Sequence, residues 1–204
     1  MTIFNHTRLT NDVFKIDIKR MRNGWYSDKY FENIGVMLST LAEQKYFFKG
    51  KALRLGDIDL SKTKTGNIEV EMQWFTRRKG KVVVAGVDKA LTVLRHCCGY
   101  FNGNGKFVNT WKHMEVEAVH DGATVNYTGD PMQVQPVLRV KGRYRDFALL
   151  ETPTLGLLTR SSRVATNVYE TLMAASGKPV LFFPARFDLH EVQASDGYAY
   201  NVAV

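Results

Sequence analysis

The spacing of apolar residues changes along the chain from a helical period to a strict alternation. Apolar residues from Ile34 to Leu41 recur at helical spacing, and Ser27 or Asp28 can cap the helix that they predict. In residues 67–74 apolar and polar side chains alternate, which indicates a half-buried strand. Residues 81–86 are more continuously apolar and predict a second, more buried strand.

The middle of the chain favours antiparallel structure. Asp88 is expected to cap a short helix that runs to Arg95, and the glycine- and asparagine-rich residues 99–105 predict a mobile loop. Residues 111–140 are typical of antiparallel strands, with Asp121-Gly122 as the turn of a hairpin.

The pattern changes again at about residue 146. Residues 146–175 are predicted to be helical with a new start at Pro153, and residues 179–183 form a short, almost wholly apolar strand. A helix that feeds such a strand is typical of a parallel α/β sheet or barrel. A closed barrel needs about 250 residues, whereas about 55 follow Leu150 in this 204-residue chain.

These patterns predict two units. Residues 1–145 are expected to form an α+β N-terminal domain, an antiparallel sheet with helices. It leads into residues 146–204, the start of an α/β barrel that is incomplete in this chain. The apolar end at Val202, Ala203 and Val204 would then expose an unpaired strand.

Composition places the chain among ordinary globular proteins. Hydrophobic residues make up 45% and charged residues 24%. No apolar run approaches the roughly 18 residues of a membrane span, and residues 1–19 lack the apolar core of a secretory signal. The two cysteines, Cys97 and Cys98, are adjacent, a spacing that rarely forms a disulfide or a metal site, so a reducing, cytoplasmic setting is expected.

The net charge of +8 leaves several partners open. Nucleic acid and phosphorylated small molecules would both suit it, but the basic residues are spread along the chain rather than gathered in one tract. No phosphate-binding glycine loop, dinucleotide fingerprint or zinc-protease motif occurs, and the five histidines match no metal-site spacing. The residue pattern alone therefore predicts a soluble, basic, mixed α and β protein.

Four segments carry a resemblance to a known family. They are QPVLRVKGRY at 135–144, LETPTLG at 150–156, SRVATN at 162–167 and GKPVLFFPAR at 177–186. Their order resembles the nicotinate phosphoribosyltransferases where the N-terminal domain enters the barrel, and the Leu-Glu-Thr-Pro step is a hallmark of that family. The Asp28-Lys29-Tyr30 element is a second, short match near the N-terminus.

The resemblance implies an enzyme of NAD biosynthesis. Such enzymes join nicotinate to phosphoribosyl pyrophosphate, release pyrophosphate and form nicotinate mononucleotide, commonly with ATP hydrolysis. Mg²⁺ and ATP are thus the implied cofactors, although no motif in this chain binds either. The family forms homodimers whose active sites lie between subunits, and its phosphorylated histidine and phosphate loops lie further along the barrel.

The resemblance implies substrate-binding roles for four residues. Phe183 matches the aromatic that stacks on the pyridine ring, and Arg186 matches the arginine beside the nicotinate. Tyr30 matches the tyrosine that reaches the other ring face from the neighbouring subunit, and Asp28 is its acidic partner. Two aromatic faces and a guanidinium suit a flat ring that bears a carboxylate. Pro184 stands where relatives usually carry glycine.

Each of these residues also has a structural interpretation. Phe183 could be a core strand residue, Arg186 a solvated charge at a strand end and Tyr30 a packing residue. Glu151 is expected to brace the fold rather than to act as an acid or base. Structural roles are likewise expected for the remaining candidates, Arg143, Arg145, Cys97 and Cys98.

Three functional hypotheses follow. The first is the N-terminal portion of a nicotinate phosphoribosyltransferase, inactive until a homodimer partner or a second chain supplies the rest of the barrel. The second is a non-catalytic, truncated paralogue that serves as a binding or interaction module. The third is nucleic-acid binding through the positive charge, which would depend steeply on salt. Nicotinate and other pyridine substrates are not separated by the sequence.

Overall fold

The computed structural model of the chain describes residues 8–204, so His6 lies outside the described residues. The α-helices are α1 (Ile18–Arg22), α2 (Lys29–Glu43), α3 (Val87–Cys97), α4 (Glu151–Ala175) and α5 (His190–Ala203). The strands are β1 (Arg54–Leu55), β2 (Ile58–Asp59), β3 (Glu69–Phe75), β4 (Gly80–Val83), β5 (Gly99–Phe101), β6 (Phe107–Asn109), β7 (Glu115–Ala118), β8 (Thr124–Tyr127) and β9 (Pro136–Arg143).

The larger sheet is antiparallel, with β9 between β3 and β7. Its register places Trp74 opposite Leu138, and a bulge between Trp74 and Phe75 shifts the pairing. Alternate residues of β3 face the core, which confirms the strand predicted for residues 67–74. The strands β4 and β8 form a separate antiparallel pair that includes the strand predicted at residues 81–86.

The core lies between these sheets and α3. This helix is buried on nearly every side, because its residues from Val87 to Leu94 contact both sheets and α4. Residues from the sheets complete the cluster, among them Val82, Val84, Leu138 and Val140.

Helix α4 occupies the edge of β4 that β8 leaves open. The Val83 N–H donates to Thr166 Oγ1 at 3.0 Å, and the Ala85 N–H donates to Ser162 Oγ at 3.1 Å. Thr166 in turn donates to the Ser162 carbonyl at 2.6 Å. Hydroxyl groups of a helix therefore take the place of a neighbouring strand, so these buried edge amides are hydrogen-bonded.

Helix α5 packs against α4 through small apolar residues and one ion pair. Ala165 and Ala199 are fully buried at the contact. Arg160 on α4 donates two hydrogen bonds to Asp196 on α5, at 2.9 and 2.7 Å. Parallel N–H···O bonds of this type fix the relative orientation of the two helices as well as their distance.

The start of α2 was predicted correctly, but the start of α3 was not. Helix α2 begins at Lys29 after Asp28, although the Asp28 side chain makes no capping hydrogen bond. Helix α3 begins at Val87, so Asp88 lies inside its first turn rather than at its cap. The cap position belongs to Gly86, whose φ of +91° favours glycine.

Residues from distant parts of the chain form hydrogen bonds with Val87 and Asp88 at the start of α3. The Val87 N–H donates to Asp121 Oδ1 at 2.8 Å, so a residue from the turn after β7 acts as the cap. The Asp88 carboxylate instead accepts from the Leu9 N–H and from Arg8. The local sequence predicted an aspartate cap, but tertiary contacts decided which aspartate provides it.

Two further predictions about the central strands were wrong in part. The turn at Asp121-Gly122 exists, but it joins β7 to β8, which pair with β9 and β4 respectively, so it closes no hairpin. Residues 99–105, predicted as a mobile loop, contain β5, which pairs with β6 in a short hairpin. Local turn chemistry therefore located the turns, whereas long-range pairing chose the strands.

The last 30 residues differ most from the prediction. Residues 179–183 form no strand and pair with none of the described strands. Val202 and Ala203 end α5, so the expected unpaired strand at the C-terminus is a helix instead. The predicted fold class is confirmed: antiparallel sheets with helices, and no closed barrel among residues 8–204. The boundary at residues 145 and 146 stays a prediction.

The hydrogen bonds that Val83 and Ala85 donate to α4 form what we call the β4–α4 seam. Replacing Thr166 with valine tests this seam. The Thr166→Val substitution keeps the shape of the side chain but leaves the Val83 N–H without its acceptor. We expect the free energy of unfolding in urea to fall by about 1–3 kcal/mol, the cost of an unsatisfied buried donor. The matched control, Thr171→Val, removes an exposed hydroxyl of the same helix and should change stability far less. Equal losses in both variants would contradict this role.

Candidate functional site

The Asp28-Lys29-Tyr30 element lies against the Leu-Glu-Thr-Pro step. The Asp28 N–H donates to Thr152 Oγ1 at 3.2 Å, which joins the start of α2 to the start of α4. Thr152 Oγ1 also lies 3.3 Å from Glu151 Oε2, to which it donates. The fold thus brings together two segments of the family resemblance that are 124 positions apart in the chain.

This contact affects the pKa of the Glu151 carboxyl group. Burial raises the pKa of its carboxyl group, the Thr152 hydrogen bond opposes that rise, and the nearby Asp28 carboxylate adds to it. Burial also raises the pKa of Tyr144, with smaller contributions from Tyr30 and Glu151. Asp28, Tyr30, Tyr144 and Glu151 therefore form one cluster, which we call the α2–α4 cluster.

Tyr30 is the outward-facing member of the α2–α4 cluster. Its side chain is 58% exposed, whereas the adjacent Phe31 is 5% exposed and anchors the helix in the core. The two ring centroids are 4.1 Å apart, so the Phe31 ring packs against the Tyr30 ring. An aromatic side chain held on a rigid helix and left exposed is available to a partner surface.

Phe183 lies in a second place, the extended segment between α4 and α5. The neighbouring residues point toward α5: Tyr200 donates its hydroxyl to the Val180 carbonyl at 2.7 Å, and its ring stacks on Phe182 at 5.7 Å. Because side chains alternate along an extended chain, Leu181 and Phe183 face outward, and Phe183 is 76% exposed. The interpretation of Phe183 as a core residue is therefore wrong.

Arg186 follows in a tight turn. The Phe187 and Asp188 N–H groups both donate to the Pro184 carbonyl, at 3.0 and 3.2 Å. Arg186 itself has a φ of +60°, in the left-handed region that non-glycine residues seldom adopt, and its guanidinium lies 5.5 Å from the Phe187 ring centroid. Pro184 is compatible with this turn because the turn uses its carbonyl and needs no N–H from it.

The two groups of predicted residues remain separate within the described chain. No hydrogen bond, ion pair or ring contact in residues 8–204 joins Asp28 or Tyr30 to Phe183 or Arg186. Their joint role in one site, with Tyr30 supplied by a neighbouring subunit, stays a prediction.

The candidates expected to be structural have structural partners. Arg143 donates two hydrogen bonds to the buried Asp146, and Arg145 lies 4.6 Å from the Tyr100 ring centroid. Burial raises the pKa of the Cys97 thiol to about 11 and raises that of Cys98 further, so both thiols stay protonated at neutral pH. No three His, Cys, Asp or Glu side chains in the described part of the chain converge on a metal position.

Sequence reasoning missed Arg160 and Asp196, the pair that fixes α5 beside the Phe183 segment. Asp196 is 4% exposed and accepts both hydrogen bonds from Arg160. A signal was present, because Val192, Asp196 and Ala199 recur at helical spacing. No helix among residues 8–204 is long and apolar enough to cross a membrane.

Comparison with known families agrees with this arrangement. The family model of the quinolinate phosphoribosyl transferase N-terminal domain matches residues 57–162, more than half of the 204 residues. The chain belongs to this phosphoribosyltransferase family. The match runs from β2 into α4 and includes Glu151 and Thr152 of the candidate site.

Solved structures of phosphoribosyltransferases share the fold. Nicotinate-nucleotide pyrophosphorylase from Pyrococcus furiosus is 20% identical with a TM-score of 0.60, and the aligned region covers 92% of this chain and 38% of that one. Human nicotinic acid phosphoribosyltransferase is 17% identical with a TM-score of 0.56, covering 85% and 34% of the two chains. This chain thus spans little more than a third of either protein. No curated protein sequence matches it.

The raised pKa of Glu151 leads to a prediction about stability. A carboxyl whose pKa is higher in the folded state binds more protons there, so its contribution to stability falls as the pH rises above the ordinary carboxyl value of 4.5. Glu151→Gln removes this titration. We expect the variant's advantage in the free energy of unfolding to grow between pH 4 and pH 7, measured by urea denaturation. A difference that is independent of pH would contradict the raised pKa.

Proposed function

We propose that this chain provides the pyridine-binding side of a phosphoribosyltransferase of NAD biosynthesis, which joins nicotinate to phosphoribosyl pyrophosphate and releases pyrophosphate. Membership of the phosphoribosyltransferase family and the shared fold support the reaction class. The choice of nicotinate rests on the resemblance of the Leu-Glu-Thr-Pro and Phe-Pro-Ala-Arg segments to nicotinate enzymes.

The observation that carries the proposal is the pair Phe183 and Arg186. Residues on either side are engaged, Phe182 with Tyr200 and Asp188 with the Pro184 carbonyl, whereas Phe183 is 76% exposed. Arg186 has no carboxylate partner among residues 8–204. A free aromatic face and an unpaired guanidinium three residues apart suit an aromatic carboxylate, because the ring stacks and the carboxylate accepts charge-assisted hydrogen bonds.

A second surface completes the proposal. Tyr30 and Asp28 are exposed at the start of α2, away from any contact with Phe183. In a homodimer, or with a second chain that supplies the rest of the barrel, they would close the opposite face of the pyridine ring. The catalytic groups of the reaction are then expected outside these elements, and Phe183, Arg186, Tyr30 and Asp28 bind and orient the substrate.

Mg²⁺ and ATP belong to the proposal only through the family resemblance. Nothing in the described residues forms a ligand set for the metal, since no three carboxylate, imidazole or thiol groups come together there. The proposal therefore assigns the described residues to the pyridine substrate and assigns no metal ligand to them. A phosphate-bound metal would contribute charge neutralisation for the leaving pyrophosphate.

Ligand-observed NMR with nicotinate tests the role of Phe183. In saturation-transfer experiments on the purified chain, the pyridine protons should receive magnetisation from the protein. We expect Phe183→Ala to weaken binding by about three- to tenfold, the value of one aromatic stacking contact. Leu181→Ala, which alters the other outward side chain of the same segment, should leave the dissociation constant unchanged. Equal effects of the two substitutions would argue against a stacking role.

A comparison of nicotinate with the neutral nicotinamide tests the role of Arg186 separately from that of Phe183. Nicotinamide has the same ring without the carboxylate, so a preference for nicotinate measures the guanidinium contact. We expect Arg186→Gln to reduce that preference by about ten- to a hundredfold, because a hydrogen bond between charged groups is lost. Lys178→Gln, in the same exposed segment, is the control for net charge. If quinolinate displaces nicotinate and binds more tightly, the substrate assignment moves to quinolinate while the site remains.

A further inference from the structure

A cavity of about 740 Å³ lies between the two sheets and α4. Its lining comes from β3, β4, β8, β9 and α4, and its inner wall is apolar, with the side chains Val82, Val84, Val125, Val137 and Leu158. The cavity opens to solvent, since lining residues such as Gln73, Leu155 and Arg163 are exposed. Its volume lies within the range of about 300–1,000 Å³ that is typical of small-molecule sites.

The cavity wall contains a buried donor without an acceptor. Trp74 lines the cavity and is 4% exposed, yet its indole Nε1 has no hydrogen-bond partner among the described residues. Buried tryptophans usually bond this N–H, because an unsatisfied buried donor destabilises the fold. The β-bulge that follows Trp74 sets this side chain at the end of the regular ladder of β3. An acceptor atom in the cavity would satisfy it.

One end of the cavity is positively charged. Arg78 in the loop after β3 donates to Asn167 at 2.8 Å and pairs with Glu170, which fixes this loop over the C-terminal half of α4. Arg163, one helical turn before Asn167 on the same face, lines the cavity and forms no hydrogen bond or ion pair within residues 8–204. Arg77 likewise forms no hydrogen bond or ion pair within residues 8–204, and its guanidinium lies 5.9 Å from the Phe75 ring centroid, so two exposed guanidinium groups here lack an anionic partner in the described chain.

The acidic residue of the wall lies at the other end. Glu151 precedes Arg163 by twelve positions on α4, which separates them by about 18 Å along the helix axis at 1.5 Å per residue. Glu151 therefore does not neutralise the arginines. The cavity is polarised along α4, with an apolar middle, a cationic end at Arg77 and Arg163, and a carboxyl group at the opposite end.

We propose that this cavity is a binding site for an amphipathic small molecule with an apolar, ring-sized body and one carboxylate. The carboxylate lies at Arg77 and Arg163, the body rests on the apolar lining that includes Leu155, and an acceptor atom meets the Trp74 indole. None of the lining residues is Phe183, Arg186, Tyr30 or Asp28, and Glu151 of the α2–α4 cluster lines only the end away from Arg163, so the proposed carboxylate position does not depend on the pyridine site.

Titration of the ¹⁵N-labelled chain with 2-naphthoate tests the proposal directly. The chain has three tryptophans, and Trp74→Phe identifies which indole signal belongs to Trp74. We expect a saturable shift of that signal and no comparable shift for Trp25 or Trp111. The neutral analogue 2-naphthalenemethanol should bind at least about tenfold more weakly, because it lacks the charge that the arginines pair with. No saturable binding of 2-naphthoate would overturn the proposal.

Variants separate this site from non-specific binding. Arg163→Gln should weaken 2-naphthoate binding by about tenfold or more, and Leu155→Trp, at a partly exposed lining position, should block the cavity. The matched control is Arg139→Gln, which removes the same charge from the sheet surface, where Arg139 pairs with Glu71 and Glu117. Equal weakening by Arg163→Gln and Arg139→Gln, or unchanged binding in Leu155→Trp, would overturn the assignment.

The same titration distinguishes the two ligand sites. Phe183→Ala should leave 2-naphthoate binding unchanged while it weakens nicotinate binding. Loss of both ligands in Phe183→Ala would place 2-naphthoate in the segment after α4 and overturn the cavity site. Retained 2-naphthoate binding with no nicotinate binding in the unmodified chain would support the cavity and count against the proposed function alone.

Discussion

The hydrogen bonds between the open edge of β4 and the hydroxyls of α4 are the constraint on which the rest of the structure depends. On the side of β4 away from β8, Val83 and Ala85 have no strand beside them, so Thr166 and Ser162 supply the acceptors that their buried N–H groups require. This seam joins the sheets to the helix that follows them. Because α4 is fixed along its middle, its first residue, Glu151, and its C-terminal half are placed at the same time.

Both candidate sites follow from the position of α4. Its first turn receives Asp28 and Tyr30 through Thr152, and Arg160 near its middle holds α5 through Asp196. Helix α5 then holds Phe182 by stacking and leaves Phe183 outside. The side of α4 that faces the sheets forms the wall of the cavity with the unpaired Trp74 N–H. One helix therefore connects the family segments, the proposed substrate contacts and the proposed second site.

Much of the secondary structure was predictable because it depends on local periodicity. The alternation in β3, the helical spacing of α2 and the turn at Asp121 all appear in the structure. Predictions from the sequence were wrong where the local residues were compatible with two different structures. Asp88 is a good capping residue by type, but it is occupied by Arg8, and Asp121 caps α3 from 34 positions away. The strand predicted at residues 179–183 is absent, because this segment contacts Tyr200 of α5 through Val180 and Phe182 and pairs with no described strand.

The sequence by itself determined the fold class, the positions of most helices and strands, and the broad phosphoribosyltransferase family but not its substrate, since periodicity and the order of short segments are local properties of the chain. Only the tertiary structure decided that Thr152 joins Asp28 to Glu151, that Phe183 faces outward, and that Arg77 and Arg163 share a cavity with Trp74. These relations connect residues from 1 to 124 positions apart. They depend on which edges, faces and charges meet in space, and no local pattern specifies that.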